Sequence, residues 1–431
     1  MIPGSYHEAV NTRRDLPDRL AITLWDFSWY TQAGPGEPFE DLDGAMAEAV
    51  ERGYNTVRIC AMPHLLFGEH ELDPSELHIS EMAPGVGWAT RWYNVAGGVR
   101  IDGRARLLQL FEAARRHGVV IIVSSWEYQQ SPAFSDDDRW YRSLEAIEPE
   151  DRFLALARCL ERLVSFLRDH GGLDQQVAYL ELHNEVDLSR LRYVPGGESD
   201  AYWPQKAFNE AAIDWLRAQC PDHLVTTSYG ITPYLDMGSA ASNVDVAHFH
   251  VYVYGTLGAL ERWAGVRGAP PEYPSENLRS LLRAGAPEFG AGSTGAVPDW
   301  RYAATGISPS MFYSYDQTDP LLWDRWLYEH HHLYAEAMRW AIDDKLTAIA
   351  SFARERSVPA VIGEGWIGYT PLYSEYEDGP LGTAIAEHAV DRALELGFWG
   401  VVLGSNSAPH HPAWSSIPWQ QRLNRKLLAG G

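Results

Sequence analysis

The order of apolar and amphipathic segments is the feature of this 431-residue chain that most restricts its fold. Short apolar runs lack the alternation of half-exposed strands, so they predict strands that are buried on both faces. Segments with an apolar stripe at helical spacing lie between them. Eight such units in succession predict an α/β fold, a (β/α)₈ TIM barrel. The predicted strands are Leu20–Leu24, Thr56–Cys60, Val119–Ser124, Val177–Leu182, Leu224–Ser228, Val244–His250, Ala360–Ile362 and Phe398–Leu403.

The helical segments are consistent with this barrel, and a doubly wound sheet is the alternative. Such a sheet more often carries a glycine-rich first turn. The first strand here leads instead to Trp25-Asp26-Phe27-Ser28, which favours the barrel. The predicted helices are Leu42–Arg52, Arg104–His117, Arg152–His170, Tyr328–Arg354 and Leu381–Leu396.

Two connections are longer than ordinary barrel loops. His64–Val99 follows the second strand and Gly255–Pro320 follows the sixth. Loops that follow barrel strands lie over the face that carries the site, so both are predicted to form walls or a lid. We therefore predict one domain over residues 1–431, with an inserted lid or loop region at about 255–320; a contact in a homo-oligomer is the alternative role. Their aromatic residues are Trp88, Trp92, Tyr93, Trp263, Trp300, Tyr302, Phe312 and Tyr313.

Charge and composition exclude several classes of partner. The net charge of −23 argues against binding to nucleic acid or to an anionic membrane, and a neutral small molecule fits better. No cationic start with an apolar stretch and no 18-residue apolar run is visible, which predicts a cytoplasmic protein. Cys60, Cys159 and Cys220 have no metal-site spacing and are predicted to be buried thiols.

Two glutamates stand at the ends of predicted strands. Glu185 follows the fourth strand and Glu364 follows the seventh. The carboxyl ends of barrel strands meet at one face, so these side chains are predicted to lie close together. Two carboxyl groups that flank one bond are what glycoside hydrolysis requires.

The residues around these glutamates form a recognisable set. Asn184 precedes Glu185, Arg58 lies on the second strand, and His250-Val251-Tyr252 ends the sixth. In this order they resemble the retaining glycoside hydrolase superfamily with a (β/α)₈ barrel, the cellulase-like group of clan GH-A type. The resemblance implies that Glu185 is the acid/base and Glu364 the nucleophile. Carboxyl groups about 5–5.5 Å apart and retention of configuration are then expected.

The resemblance also implies roles for the neighbouring side chains. Arg58 and the Tyr252 hydroxyl would keep Glu364 ionised. Asn184 would hydrogen-bond the sugar hydroxyl beside the reacting carbon, and His250 would position the acid/base or a sugar hydroxyl.

Further sugar contacts are predicted near the same strand ends. The eighth strand lacks the tryptophan that the superfamily often has at its end, because Trp399 lies at its start. Trp366 or Trp414 is the expected replacement. The remaining predicted sugar-binding residues are Trp25, Trp126, Glu127 and Gln129.

The predicted function is a retaining glycosidase that needs no cofactor. It would act at chain ends of a β-linked glycoside or short oligosaccharide by double displacement. Two alternatives remain. One is a non-catalytic sugar-binding relative. The other is a metal-dependent barrel hydrolase, since His248 and His250 share one face of a strand and His64, His183 or His411 would complete a site.

Overall fold

A parallel sheet forms the centre of the computed structural model, which describes residues 16–80, 87–91, 93–130, 134–197, 199–269, 271–290, 297–368 and 370–430. Trp92 lies outside these described residues. The strand side chains are almost all inaccessible, as their continuous apolar sequences require. We number the barrel strands β1 Leu20–Asp26, β2 Thr56–Cys60, β3 Val120–Ser124, β4 Val177–Glu181, β5 Val225–Thr226 with Ser228–Tyr229, β6 Ala247–Tyr252, β7 Ala360–Trp366 and β8 Gly400–Val402.

The two short segments of β5 close the sheet into a ring. Val225–Thr226 pairs with β4, and Ser228–Tyr229 pairs with β6 at the opposite end of the strand order. Because one strand joins both ends of the sheet, the architecture is the predicted TIM barrel, and the doubly wound alternative is wrong.

Within the described residues, seven helices form the outer layer around the ring, one fewer than eight complete units would give. In the connection between β5 and β6, which is described throughout, the only helical element is the 3₁₀ turn Met237–Ser239. Side-chain caps at Asp41 and Asp102 begin two of the outer helices, and Gly118, with φ +68°, ends one. We number them α1 Leu42–Glu51, α2 Gly103–His117, α3 Arg152–Asp169, α4 Trp203–Gln219, α5 Ala335–Arg356, α6 Pro380–Glu395 and α7 Ile417–Leu428.

The boundaries of some elements differ from the prediction. β7 continues to Trp366, so that Glu364 lies within the strand. The predicted helix Tyr328–Arg354 is two helices, because the chain turns at His331, whose Nδ1 lies 2.7 Å from the Tyr376 hydroxyl.

Both long connections contain secondary structure of their own. After β2, the strands Leu77–Ile79 and Val99–Ile101 form an antiparallel pair. The connection after β6 is largely helical, whereas the sequence predicts a lid or loop region there. Its helices are Gly255–Ala264, Glu276–Arg279, Asp299–Thr305, Pro309–Gln317 and, after the predicted end, Pro320–His330.

All three cysteines are buried, as predicted: Cys60, Cys159 and Cys220. No helix in the described ranges is both long and apolar enough to cross a membrane.

Candidate active site

Glu185 lies in the turn that follows β4, after Leu182, His183 and Asn184, and has a left-handed backbone conformation with φ +46°. Its backbone N–H donates to the Ser228 hydroxyl (3.0 Å), which fixes this turn against β5. Gln129 Nε2 donates to Oε2 (2.5 Å), and His250 Nδ1 lies 2.9 Å from Oε1. Burial raises the pKa of Glu185 to about 7. A carboxyl group of this kind holds a proton near neutral pH and is suited to acid catalysis.

Glu364 is held by a charge and by a hydroxyl. Arg58 Nη1 donates to Oε1 (2.7 Å), and the Tyr252 hydroxyl donates to Oε2 (2.8 Å). Both partners are buried, so these charge-assisted contacts are little screened by water. Arg58 and Tyr252 thus make the two contacts to Glu364 that the resemblance implies, and the Arg58 cation stands directly against the carboxylate.

Arg58 also contacts a carboxylate that the sequence reading missed. Its Nε and Nη2 donate to the two oxygens of Glu181 (2.8 and 2.7 Å). Burial alone would raise the pKa of Glu181, but the guanidinium outweighs it and lowers the pKa to about 2. Its signal in the sequence was a charged residue inside an apolar strand, since a buried charge requires a partner.

Asn184 joins the two glutamates through its amide. Its Oδ1 accepts from Arg58 Nη2 (2.5 Å), and its Nδ2 donates to Gln129 Oε1 (2.6 Å). Arg58 also donates to Glu364, and Gln129 also donates to Glu185. The amide is therefore fixed in orientation between the two carboxyl groups.

His250 stands between the two carboxyl groups. Its Nδ1 lies 3.6 Å from Glu364 Oε1, in addition to its contact with Glu185. One oxygen of each glutamate and one His250 nitrogen all lie within 4.8 Å of one another. Burial lowers the pKa of His250 to about 4, so the imidazole is neutral at pH 7.

A pocket with acidic walls opens beside Glu364. Trp126 Nε1, Glu377 Oε1 and His411 Nδ1 belong to its lining residues; these buried atoms have no hydrogen-bond partner within the described ranges. Buried polar atoms without partners are costly, so sugar hydroxyls are suitable ligands for them. We call this the acidic pocket; its charged residues are Asp26, Glu364, Glu377, Asp378 and Arg91, and its other lining residues include Trp126, Trp366, Ser405, Asn406, His411 and Trp419.

An open groove lies on the other side, beside Glu185. The connection after β6 forms much of its wall, as predicted for a loop over this face. We call it the basic groove; its charged residues are Arg190, Arg192, Arg262, Arg267, Lys345, Glu185 and Glu261, and its other lining residues include Gln129, Leu188, Tyr193, Tyr252, Tyr254 and Met311.

Comparison with known proteins agrees with this fold. The chain matches the family described as sugar-binding cellulase-like over residues 22–261 and 300–428. It belongs to this cellulase-like family. No curated protein matches the chain.

Two solved structures are similar to this cellulase-like protein. A proposed glycoside hydrolase from Parabacteroides distasonis ATCC 8503 is 20% identical, with a TM-score of 0.66 over 96% of this chain and 94% of that one. A GH5_18 protein from Bifidobacterium longum subsp. longum ATCC 55813, in complex with Manb1-4GlcNAc, is 13% identical, with a TM-score of 0.50 over 95% and 78%. At these identities the likeness establishes the fold.

Two predicted sugar contacts of the cellulase-like protein lie away from both openings. Glu127 is fully buried and accepts from the His64 backbone N–H and from the Ser125 hydroxyl, which favours a structural role over a sugar contact. Burial raises its pKa to about 7. Trp25 is also inaccessible and packs on Phe39 with ring centroids 5.1 Å apart, so it belongs to the core.

The predicted aromatic platform has one candidate left. Trp414 packs on Tyr54 (5.8 Å) and Trp399 donates to the Pro17 carbonyl, so both lie away from the acidic pocket. Trp366 does line the pocket, and its indole N–H donates to the Leu403 carbonyl (3.1 Å). The segment after β8 lacks the tryptophan that the superfamily often has there. Ser405 lies in this segment, and its hydroxyl is 2.7 Å from the Tyr252 hydroxyl.

The histidines predicted for a metal site are only partly brought together. Within the described ranges, His248 and His250 group with Glu181, whose oxygens already accept from the Arg58 cation. His64 and His183 belong to no such group; His64 Nε2 instead lies 2.8 Å from Ser143. His411 groups with Asp26 and His410, and this group shares no residue with the group of His248, His250 and Glu181.

Proposed function

We propose that this protein is a retaining glycoside hydrolase that removes a terminal sugar from a β-linked glycoside or short oligosaccharide. The observation that carries this proposal is the pair of unlike carboxyl groups. Glu185 is held by a neutral amide and a neutral imidazole, while Glu364 is held by the Arg58 cation. Environments that favour opposite protonation states in one site separate an acid from a nucleophile.

The chemistry then follows in two displacements. Glu364 attacks the anomeric carbon and forms a glycosyl ester as the glycosidic bond breaks, and Glu185 gives its proton to the leaving oxygen. In the second step Glu185 takes a proton from water, whose oxygen attacks the anomeric carbon and releases Glu364. The approach of two carboxylate oxygens to within 4.8 Å supports this route over inversion, which needs about 6.5–9.5 Å.

The shape of the acidic pocket supports action at a chain end. Its lining includes Ala386 of α6 and Trp419 of α7, two helices of the outer layer. We take these helices to close the pocket, which would then hold one terminal sugar, whereas an internal bond of a polymer requires a cleft that is open at both ends.

A panel of aryl β-glycosides tests the reaction. Turnover is expected to fall as the pH rises above about 7, because Glu185 then loses the proton that it must donate. Glu364→Gly should lose turnover of the aryl glycoside and regain it with azide, which fills the space of the carboxylate. NMR of that product should show a glycosyl azide of inverted, α configuration.

The controls decide between this function and its alternatives. The wild-type enzyme should release a β-configured sugar first, since two inversions retain configuration. Release of the α anomer would refute retention. Loss of activity with a chelator and full activity of Glu364→Gln would instead support a metal-dependent hydrolase.

Sugar binding without hydrolysis is the second candidate function. The description of the matched family as sugar-binding favours it. It predicts that calorimetry detects monosaccharide binding while no glycoside of the panel is turned over.

A further inference from the structure

The basic groove differs in charge from the rest of the protein. Its lining residues include five cationic and two anionic side chains. The whole chain has 35 Lys and Arg against 58 Asp and Glu. A local excess of positive charge on an acidic protein attracts anions that the remaining surface repels.

Most of the groove cations form no ion pair with a carboxylate within the described ranges, although the charges of Arg262 and Arg267 act on Glu261 of the same groove. Arg190 pairs with Glu145 (3.1 Å). In contrast, Arg192, Arg262 and Arg267 form no ion pair with any residue in the described part of the chain. Exposed arginines without protein partners remain available to carboxylate or phosphate groups, which their guanidinium forks match.

Lys345 extends this charge toward the reacting groups. Its Nζ donates to the backbone carbonyl of Tyr252 (2.7 Å), the residue whose hydroxyl contacts Glu364. It forms no ion pair within the described ranges, although it is partly buried, and burial lowers its pKa. A partly desolvated ammonium group gains from an anionic ligand more than an exposed one does.

The position of the groove identifies which part of a substrate would lie there. Glu185 lines it, and in the proposed reaction Glu185 protonates the leaving oxygen. Groups bound in the groove therefore belong to the leaving side of the bond, and the departing sugar or aglycone lies against the cations.

Arg262 and Arg267 come from a part of the chain that the family match omits. The match covers residues 22–261 and resumes at 300. The helix Gly255–Ala264 and the turn after it carry both arginines. This part of the groove wall is thus a feature of this chain in addition to the shared barrel.

Resting on the proposed function, we propose that the basic groove binds a leaving group that carries an anionic substituent, either a carboxylate or a phosphate. The departing part of the natural substrate would then be an acidic sugar or a phosphorylated sugar, and the sugar held in the acidic pocket would be uncharged. The charge of the leaving group would supply specificity that neutral hydroxyls do not.

Calorimetry of leaving-group analogues tests this proposal without any turnover. Glucose, glucuronate and glucose 6-phosphate share one ring and differ in charge. We expect at least one of the two anionic sugars to bind about tenfold more tightly than glucose at low salt, and the comparison between them separates carboxylate from phosphate. This preference should shrink in 0.5 M salt, which screens exposed charges.

The variant Arg262→Gln/Arg267→Gln should abolish the preference and leave glucose binding unchanged. Both side chains are exposed, so the substitutions are compatible with folding. Arg425→Gln, an exposed arginine on α7, is the matched control and should keep the preference. Equal binding of all three sugars, or an unchanged preference in the double variant, would overturn the inference.

The same variants separate this inference from the proposed function. Hydrolysis of neutral aryl glycosides with no preference for an anionic sugar would leave the hydrolase standing and refute the groove assignment. Anion preference in the binding assay without any hydrolysis would support the groove and refute the hydrolase.

Discussion

The acidic pocket and the basic groove meet at the two glutamates and differ in almost every physical respect. The pocket holds four acidic side chains and one arginine, and residues of α6 and α7 belong to its lining. The groove holds five cations and two acids, and it opens to solvent. In the proposed reaction, this difference would let the two sides of the substrate be recognised separately, the retained sugar by hydroxyl contacts and the departing part by charge.

The largest expected effect separates the two glutamates. Glu364→Gln should lower kcat/KM by about 10⁴-fold with every glycoside, because the attacking oxygen is lost. Glu185→Gln should lower it by about 10²–10⁴-fold with a sugar leaving group, but far less with 2,4-dinitrophenolate, which departs without a proton. Initial rates on both substrates measure this. Glu395→Gln, at the exposed end of α6, should have no effect.

Equal losses with both leaving groups in both variants would contradict the division of roles. A larger loss for Glu185→Gln with the dinitrophenolate leaving group than with the sugar leaving group would show that Glu185 does not act as the acid.

Next in size is the effect of the buried cation. Arg58→Met should lower the free energy of unfolding by about 3–5 kcal/mol, because Glu181 and Glu364 would be left buried without a counter-charge. Arg267→Gln in the groove should change it by less than about 0.5 kcal/mol, since that side chain is exposed. Urea unfolding at pH 7 measures both. Similar losses of unfolding free energy in the two variants would contradict the claim that the buried arginine stabilises the fold and the exposed one does not.

A smaller effect is expected in the acidic pocket. Glu377→Gln should lower kcat/KM by about tenfold, because the amide offers a sugar hydroxyl one acceptor oxygen where the carboxyl group offers two. Glu375→Gln, in the same loop but exposed, is the matched control. The preference for anionic leaving groups should be equal in both variants. A changed preference would mean that the pocket and the groove are not independent.

The smallest effect concerns the pH dependence of stability. Burial raises the pKa of Glu185 to about 7 and that of Glu377 to about 8. The folded protein therefore keeps protons that the unfolded chain has released, and the free energy of unfolding should fall by about 1–3 kcal/mol between pH 7 and 8.5. Buried histidines give the opposite slope only below about pH 6.5. In urea titrations, Glu377→Gln should flatten this slope more than Glu185→Gln, and an unchanged slope would refute the assignment.

The sequence was sufficient for the parts of the molecule that rest on local patterns. Apolar runs and helical stripes predicted the barrel, and strand-end motifs predicted Glu185, Glu364, Arg58 and Tyr252. The role of Glu181 was not predicted, because a single charged residue does not change the apolar pattern of the strand around it. The helices after β6 did carry local signals, since Ser308 and Asp319 cap helices that begin with proline.

The acidic pocket could not be predicted from local patterns in the sequence. Glu377 and Asp378 reach it because Arg91, which lies far away in the sequence, pairs with both (3.3 and 3.2 Å). Contacts of this kind depend on the whole fold. They leave no periodicity in the sequence, so an acidic loop looks the same whether it is solvated or faces a substrate.

The connection after β6 has a consequence for how such a protein diversifies. The reacting groups are fixed to β2, β4, β6 and β7, whereas Arg262 and Arg267 stand on a stretch outside the family match. If the proposed reaction and groove assignment hold, exchanging residues 262–299 for the corresponding stretch of another relative would change the preference for the leaving group and leave the chemical step intact. Specificity for the departing group would then be able to change, in evolution or by design, without any change in the residues that carry out the reaction.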